Sequence, residues 1–270
     1  ILGSHLTDDQ KAVAESVRDH KITLVESANA VGKGYVSARI GLWALRCHLG
    51  AAVYTTAAPP EENLKNLLWG EIDDALSKCD QSLKVGLKRR VMSLEYGPKY
   101  WLKGITVPTT GTASQREPKF AGKHAPFLLF IMDESDAIPM EVWTGAQSCL
   151  SGGIPRALIL YNPRHPSGWV YNLRHHSNVN LITLSAFTHP NVTSGEDIIP
   201  GAVTRDVTVE RIQLLSRSIQ KDETVEPTRT FVVPDFLDKI TTTDKLGFAR
   251  PPLRGGEIRG VMDPSLDYMT

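Results

Sequence analysis

The stretch "ESANAVGKGYV", residues 26–36, lies between a β-rich run, "KITLVES", and an amphipathic helical run, "KGYVSARIGLWALRCHL". Strand, loop and helix with Gly-Lys at the elbow form the setting of a phosphate-binding loop, G-x-x-x-x-G-K-[ST]. Its eight positions fall on Ser27, Ala28, Asn29, Ala30, Val31, Gly32, Lys33 and Gly34, and Tyr35 opens the helix. Backbone N–H groups of residues 30 to 34 would point into an anion, helped by the helix N-terminus. Lys33 would reach the β- and γ-phosphates. Ser27 for the first Gly exchanges one small residue for another. Gly34 is the departure: it lacks the hydroxyl such a loop offers to magnesium, and it puts a flexible residue in the first helical turn. By itself, Gly-Lys-Gly is equally a plain Gly-rich turn before a helix.

Further along, "FLLFIMDES" is a buried apolar strand ending in two carboxylates, the Walker B arrangement. Asp133 would hold magnesium through water, and Glu134 would orient and deprotonate the attacking water. An isolated Asp-Glu pair after a strand is more commonly a solvated turn. Downstream of a strand–loop–helix with Gly-Lys at its elbow, it marks the strand ends where ligands bind in open α/β sheets. A third piece, "LILYNPRHPSGWVY", is another buried strand. Asn162 at its tip would contact the γ-phosphate or the water, or would serve an ordinary Asn-Pro turn. Upstream, Thr7 and Gln10 make a capping-box pattern. Gln10 is read equally as part of that cap and as a reader of the adenine edge.

The texture around these motifs predicts a mostly parallel α/β sheet with helices on both faces. Strands are expected in "KITLVES", "AAVYTTAAPP", "SLEYG", "YWLKG", "ITVPTTG", "APFLLFIMDES" and "RALILYNP". Helices are expected in "LTDDQKAVAESVRDH", from Tyr35, in "PEENLKNLLWGEIDDALSKC", "MEVWTGAQSCL" and "DVTVERIQLLSRSIQ". Residues 1–5 read as a tag scar and 6–215 as the ATP-binding domain. Residues 216–257, rich in Pro, Thr and charge, read as a linker or lid-like extension, and 258–270 open like a new strand. The chain has 270 residues, 41% hydrophobic and 22% charged, with no net charge. That suits a soluble globular chain and speaks against coating nucleic acid by charge alone. Three widely spaced cysteines, Cys47, Cys79 and Cys149, form no metal-ligand pairing and suit a reducing compartment. No apolar run is long enough to span a bilayer.

The order of these motifs resembles the ATPase domain of the large terminase subunit of tailed bacteriophages, over roughly residues 6 to 215. "LTDDQKAVAESVRDHKITLVESANAVGKG" is similar to that family's Gln-containing entry helix and Walker A loop. "VYTTAAPPEENLKNLLWGEI" resembles its Thr-Ala-Pro segment and the helix after it. "FAGKHAPFLLFIMDESDAIPMEVW" is similar to its approach to Walker B, "LILYNPRHPSGWVYN" to its coupling motif, and "HPNVTSGEDIIPGAVTRDVTVERI" to the segment that closes the domain. The resemblance implies a P-loop NTPase fold of the ASCE/RecA-like type. It also implies ATP and Mg2+ as cofactors, and hydrolysis that drives double-stranded DNA into a procapsid.

The implied partners are DNA, the portal protein, the small terminase subunit and further copies in a pentameric ring, in the host bacterial cytoplasm. The family's second domain, a two-metal nuclease, is expected to be mostly missing. "EIRGVMDPSLDYMT" is similar to its first strand, with Asp263 as the first metal-binding acid, so no nuclease activity is expected. Ring motors also need a trans-acting basic residue. Arg116 and Lys123 are candidates, with Arg156 and Arg164 behind them, and the commoner fate of each is a surface charge. Lys84, Lys88, Arg89 and Arg90 in "KVGLKRR" are candidates for DNA phosphate contact, or for a solvated helix face. Two other readings stand beside the motor: a helicase-like ATPase, and a nucleotide-binding module with little turnover because of Gly34.

Overall fold

The computed structural model describes residues 5–108, 112, 117–163, 167–212, 229–232 and 257–260. They fall into two compact units, Ile1–Ser27 with Gly32–Thr183, and Ala28–Val31 with Leu184–Thr270. The stretch read as one ATP-binding domain, 6–215, contributes to both.

The first unit is built on a sheet. Helix α1 (Asp8–Asp19) opens with the full capping box of Thr7 and Gln10 and buries Val13 and Val17. Strand β1 (Ile22–Ser27) is buried at every position and leads through the loop into α2 (Lys33–Cys47). Then come β2 (Ala52–Ala57), a π-helical turn Asn63–Leu68, α3 (Trp69–Lys78), the short α4 (Gln81–Lys84) and β3 (Lys88–Arg90). Strands β4 (Ser93–Gly97), β5 (Tyr100–Gly104) and β6 (Phe127–Asp133) follow. Helix α5 (Met140–Ser148), β7 (Ile154–Tyr161), α6 (Trp169–Leu173) and β8 (Val179–Leu184) complete the series.

The strands lie in the order β3-β4-β5-β2-β6-β7-β1-β8. The pairs β1–β7, β6–β7, β2–β6 and β2–β5 are parallel, whereas β3–β4 and β4–β5 are antiparallel. The sheet is thus mostly parallel, as expected, with an antiparallel ribbon added at one edge. Helices cover both faces, which is why β1 and β6 are continuously apolar or buried rather than alternating. One face carries Leu24, Phe130, Met132, Trp143 and Tyr161 in a common core. Helix α2 has buried residues all round its axis, as a helix enclosed by other elements must.

Three local expectations change. The α2 helix begins at Lys33, two residues before Tyr35, because Gly32 supplies the left-handed turn that ends the loop. Residues 105–108 of "ITVPTTG" form no strand. The basic run is not a helix face: Gly86, at φ 77°, breaks the chain after α4, and Lys88–Arg90 form an exposed edge strand.

The second unit contains α7 (Pro190–Ser194) and a helix over 205–212. A further pair, β9 (Arg229–Val232) and β10 (Glu257–Gly260), is antiparallel, with Glu257 opposite Val232. Strand β9 lies within the stretch read as a linker. Arg116, Arg164 and Asp263 lie outside the described residues. Among the described residues, no helix is long and apolar enough to cross a membrane.

Candidate active site

The sheet order decides what can meet. Strand β7 lies between β1 and β6, so the C-terminal ends of three adjacent parallel strands deliver the Gly-Lys loop, Asn162 and the Asp133-Glu134 pair. Ligands bind at such strand ends in open α/β sheets.

Lys33 is the hub. Its Nζ donates to Glu134 Oε1 at 2.7 Å and also to Asn162 Oδ1. Asn162 Nδ2 in turn donates to the Ser27 carbonyl at 2.7 Å. Asn162 is buried and joins the end of β1 to the ammonium group. Glu134 adopts φ 49° and ψ 47°, a left-handed conformation that costs a non-glycine residue roughly 1–3 kcal/mol. That backbone turns its carboxylate off the strand direction and toward Lys33.

Asp133 ends β6 and is buried. Burial pushes its carboxyl above the ordinary value, with the positive charge of Lys33 opposing and the negative charge of Glu134 adding to the rise. The Glu134 N–H donates to Asp133 Oδ1 at 3.0 Å. A hard divalent cation suits this donor set, because it would offset the charge that burial penalises. Magnesium takes one or two carboxylates together with phosphate oxygens and water.

The loop itself is shaped by Ala30 at φ 61° and Gly32 at φ 90°. Gly32 is required twice, by that angle and by the close approach of Gln10, whose Nε2 a Cβ at position 32 would strike. Gln10 Oε1 accepts from the Thr7 N–H at 3.2 Å. The cap and the loop contact therefore coexist: Gln10 joins the start of α1 to the phosphate-loop glycine. Within the second unit, the Ala28 N–H donates to the Leu184 carbonyl at 3.0 Å, and the Val203 N–H donates to the Ala30 carbonyl at 2.9 Å. Tyr35 begins beneath a cation: the Arg39 guanidinium lies 3.2 Å from its ring centre.

The other sequence candidates are engaged elsewhere. Lys123 Nζ lies 5.1 Å from the Tyr54 ring centre, and burial lowers its pKa. Arg156 bonds to backbone carbonyls: Nε to Val17 at 2.8 Å, Nη2 to Arg18 at 2.7 Å and Nη1 to Pro155 at 3.0 Å. Lys84 donates to the Ser77 carbonyl at 3.0 Å, and Arg89 makes a two-pronged pair with Asp73 at 2.8 and 2.6 Å. Lys88 and Arg90 are exposed on β3 beside it.

Sequence reasoning missed a buried cluster next to the loop. Glu26, 3% exposed, accepts from the Tyr161 hydroxyl and pairs with Arg174 Nε at 3.3 Å. The available signal was an acid inside an otherwise apolar strand.

A Gly-Lys loop, a strand-end Asp-Glu pair and a polar strand tip lie on a mostly parallel eight-stranded sheet of P-loop NTPase-type fold. Within that class, the resemblance to large-terminase ATPase domains recurs in a curated relative and in solved structures. The "Probable terminase, large subunit" of Enterobacteria phage P7 is 24% identical over 188 residues, 65% of this chain and 36% of that protein. The ATPase domain of the Thermus phage P74-26 large terminase is 15% identical, with 83% of this chain and 90% of that one covered, at a TM-score of 0.54. The large terminase of a thermophilic bacteriophage, solved in complex with ATP-γ-S, is 14% identical, with 78% and 49% covered, at a TM-score of 0.53. No protein-family model matches the chain. At these identities the structural likeness is one of fold, and the chain spans little more than a third of its curated relative's length.

Proposed function

We propose that the chain carries the ATPase domain of a phage large terminase, hydrolysing ATP to drive double-stranded DNA into a procapsid. The observation that carries this reading is the convergence of Glu134 and Asn162 on Lys33 across the ends of neighbouring strands. The ATP-γ-S complex of a protein with the same fold supports the choice of nucleotide.

In this reading the backbone N–H groups of residues 30 to 34 and the Lys33 side chain hold the phosphates, and Lys33 exchanges its contact with Glu134 for a phosphate oxygen. Glu134, so released, accepts a proton from the attacking water. Asn162, fixed by its bond to the Ser27 carbonyl, orients that water or the γ-phosphate. Asp133 would hold Mg2+ through water, and the cation supplies charge neutralisation at the phosphates. Gln10 sets the position of Gly32, and Tyr35 lies in the first turn of the helix whose N-terminus faces the anion.

The DNA, the portal protein, the small terminase subunit and a ring of copies, in the host cytoplasm, belong to the same proposal. For DNA, Lys88 and Arg90 on the exposed edge strand are better placed than Arg89, which is paired with Asp73. A trans-acting Lys123 would first have to leave the Tyr54 ring.

Gly34 favours a second reading, a nucleotide-binding module with little turnover. Phosphate release from Mg·ATP by this chain and by Gly34→Thr, measured side by side, separates the two. Release by the unaltered chain that Lys33→Ala abolishes supports the ATPase. Release by Gly34→Thr alone supports the module, and release by neither overturns the hydrolytic reading for the isolated chain.

A further inference from the structure

We propose that Glu71 supplies the oxygen that Gly34 lacks, so that a carboxylate from α3 serves in place of the loop hydroxyl at the cation side of the nucleotide site. The inference rests on the nucleotide-site reading above and names one more residue for it.

Gly34 lies in the first turn of α2 without a positive φ, so its backbone makes no demand for glycine. Its surroundings are more telling. A Cβ at position 34 would lie 3.4 Å from Glu71 Cγ, an ordinary contact distance. In the loop pattern, the hydroxyl of a Ser or Thr departs from that Cβ. The Glu71 side chain therefore runs beside the point from which the hydroxyl would project, and its carboxylate is one bond further on.

Arg39 holds it there. This buried arginine lies over the Tyr35 ring, donates to the Tyr35 carbonyl at 3.0 Å and pairs with Glu71 Oε2 at 3.5 Å. A carboxylate offers about four lone-pair sites, so one long contact leaves capacity for a cation. Glu71 is 41% exposed at its side chain, which leaves the group room to turn. Magnesium prefers hard anionic oxygens and commonly takes one or two carboxylates with phosphates and water. Asp133 and Glu71 would make such a pair.

Exchanging a neutral hydroxyl for a carboxylate has a measurable consequence. Without a divalent cation, Glu71 repels the phosphates; with one, it helps bind them. Nucleotide affinity in this chain should therefore depend more steeply on Mg2+ than Asp133 alone would make it.

The test is equilibrium binding of a fluorescent ATP analogue to the whole chain, in Mg2+ and in excess EDTA. It compares the unaltered protein, Glu71→Gln, Gly34→Thr and the double variant. The expected result is that Glu71→Gln cuts the ratio of the two dissociation constants about tenfold, mainly by losing affinity in Mg2+. Gly34→Thr in the same background should restore most of that ratio. An unchanged ratio in Glu71→Gln overturns the assignment. A purely structural tie to Arg39 also overturns it: that would lower the metal-free melting temperature and shift both constants together. Should Glu71→Gln fold poorly, Glu71→Asp keeps the charge on a shorter stem, and a ratio equal to that of the unaltered chain would count against a ligand of defined reach. If the unaltered chain binds no nucleotide in either condition, the nucleotide-site reading itself falls and this assignment with it. If it binds Mg·ATP while Glu71→Gln keeps the full ratio, only Glu71 is removed.

Discussion

Glu134 combines a left-handed backbone with a 2.7 Å ion pair to Lys33. If Lys33 serves the phosphates as proposed, the phosphate competes with this carboxylate for the ammonium charge. Glu134→Gln should therefore abolish phosphate release and also tighten ATP binding about fivefold, the value of roughly 1 kcal/mol for a partly exposed pair. Binding that stays equal or weakens would mean the pair does not compete with phosphate.

Asp133 gives a second expectation at this scale. Burial makes the folded state hold its proton more tightly than the unfolded chain does. Its contribution to stability is thus greatest in acid and is lost as pH rises from the ordinary 3.8 through the raised folded value. Without metal or nucleotide, Asp133→Asn should melt about 2–4 °C higher than the parent near pH 8, a change of order 1 kcal/mol. The gap should close in acid; a gap constant with pH would rule out the charge as its cause.

These residues were legible in the sequence because each sits inside a short contiguous motif. Glu71 and Arg39 were not, since their relation to Gly34 arises only when α3 packs on α2. The dual role of Gln10 was half legible: the cap follows from spacing, whereas its approach to Gly32 needs the tertiary fold.

At the scale of elements, the α1 C-terminus rests on Arg156, whose guanidinium donates hydrogen bonds to the carbonyls of Val17, Arg18 and Pro155. Carbonyls at a helix end lack intrahelical partners, and a guanidinium from β7 supplies them here. Arg156→Met keeps much of the aliphatic stem and removes the donors. It should cost about 1–3 kcal/mol, read as a lower denaturation midpoint, with phosphate release per folded molecule unchanged. Loss of turnover at unchanged stability would instead return Arg156 to the trans-acting candidates.

The strands of the parallel core could be read from sequence, because continuous apolar runs bounded by turns have few other fates. The edge was harder. "KVGLKRR" has no periodicity that separates a helix face from a strand, and the break at Gly86 is set by its backbone. The pattern of "PEENLKNLLWGEIDDALSKC" predicts one helix, and helical residues run over 61–78. Its opening π-helical turn, Asn63–Leu68, depends on hydrogen-bond spacing that side-chain patterns do not encode.

For the whole molecule, the mostly parallel class followed from the alternation of strand and helix, but the strand order did not. Placing β7 between β1 and β6 is a tertiary choice, and it is what lets Asn162 touch both Lys33 and the end of β1. The Gly-Lys loop also has an outer support. Residues Ala28–Val31 belong with the later part of the chain, tied through the Leu184 carbonyl and the Val203 N–H. This bears on where the protein can be shortened. A version ending at residue 200 would lack the donor that pins Ala30 at its positive φ, whereas one ending at 215 would keep it. The longer version should bind ATP like the parent and the shorter one should bind at least about tenfold more weakly, even if both are soluble and retain the sheet by circular dichroism. Equal binding by the two would show that the loop stands unaided. The smallest fragment that still binds nucleotide is therefore expected to be set by a backbone tether well downstream of Asn162, the last residue in sequence to converge on Lys33.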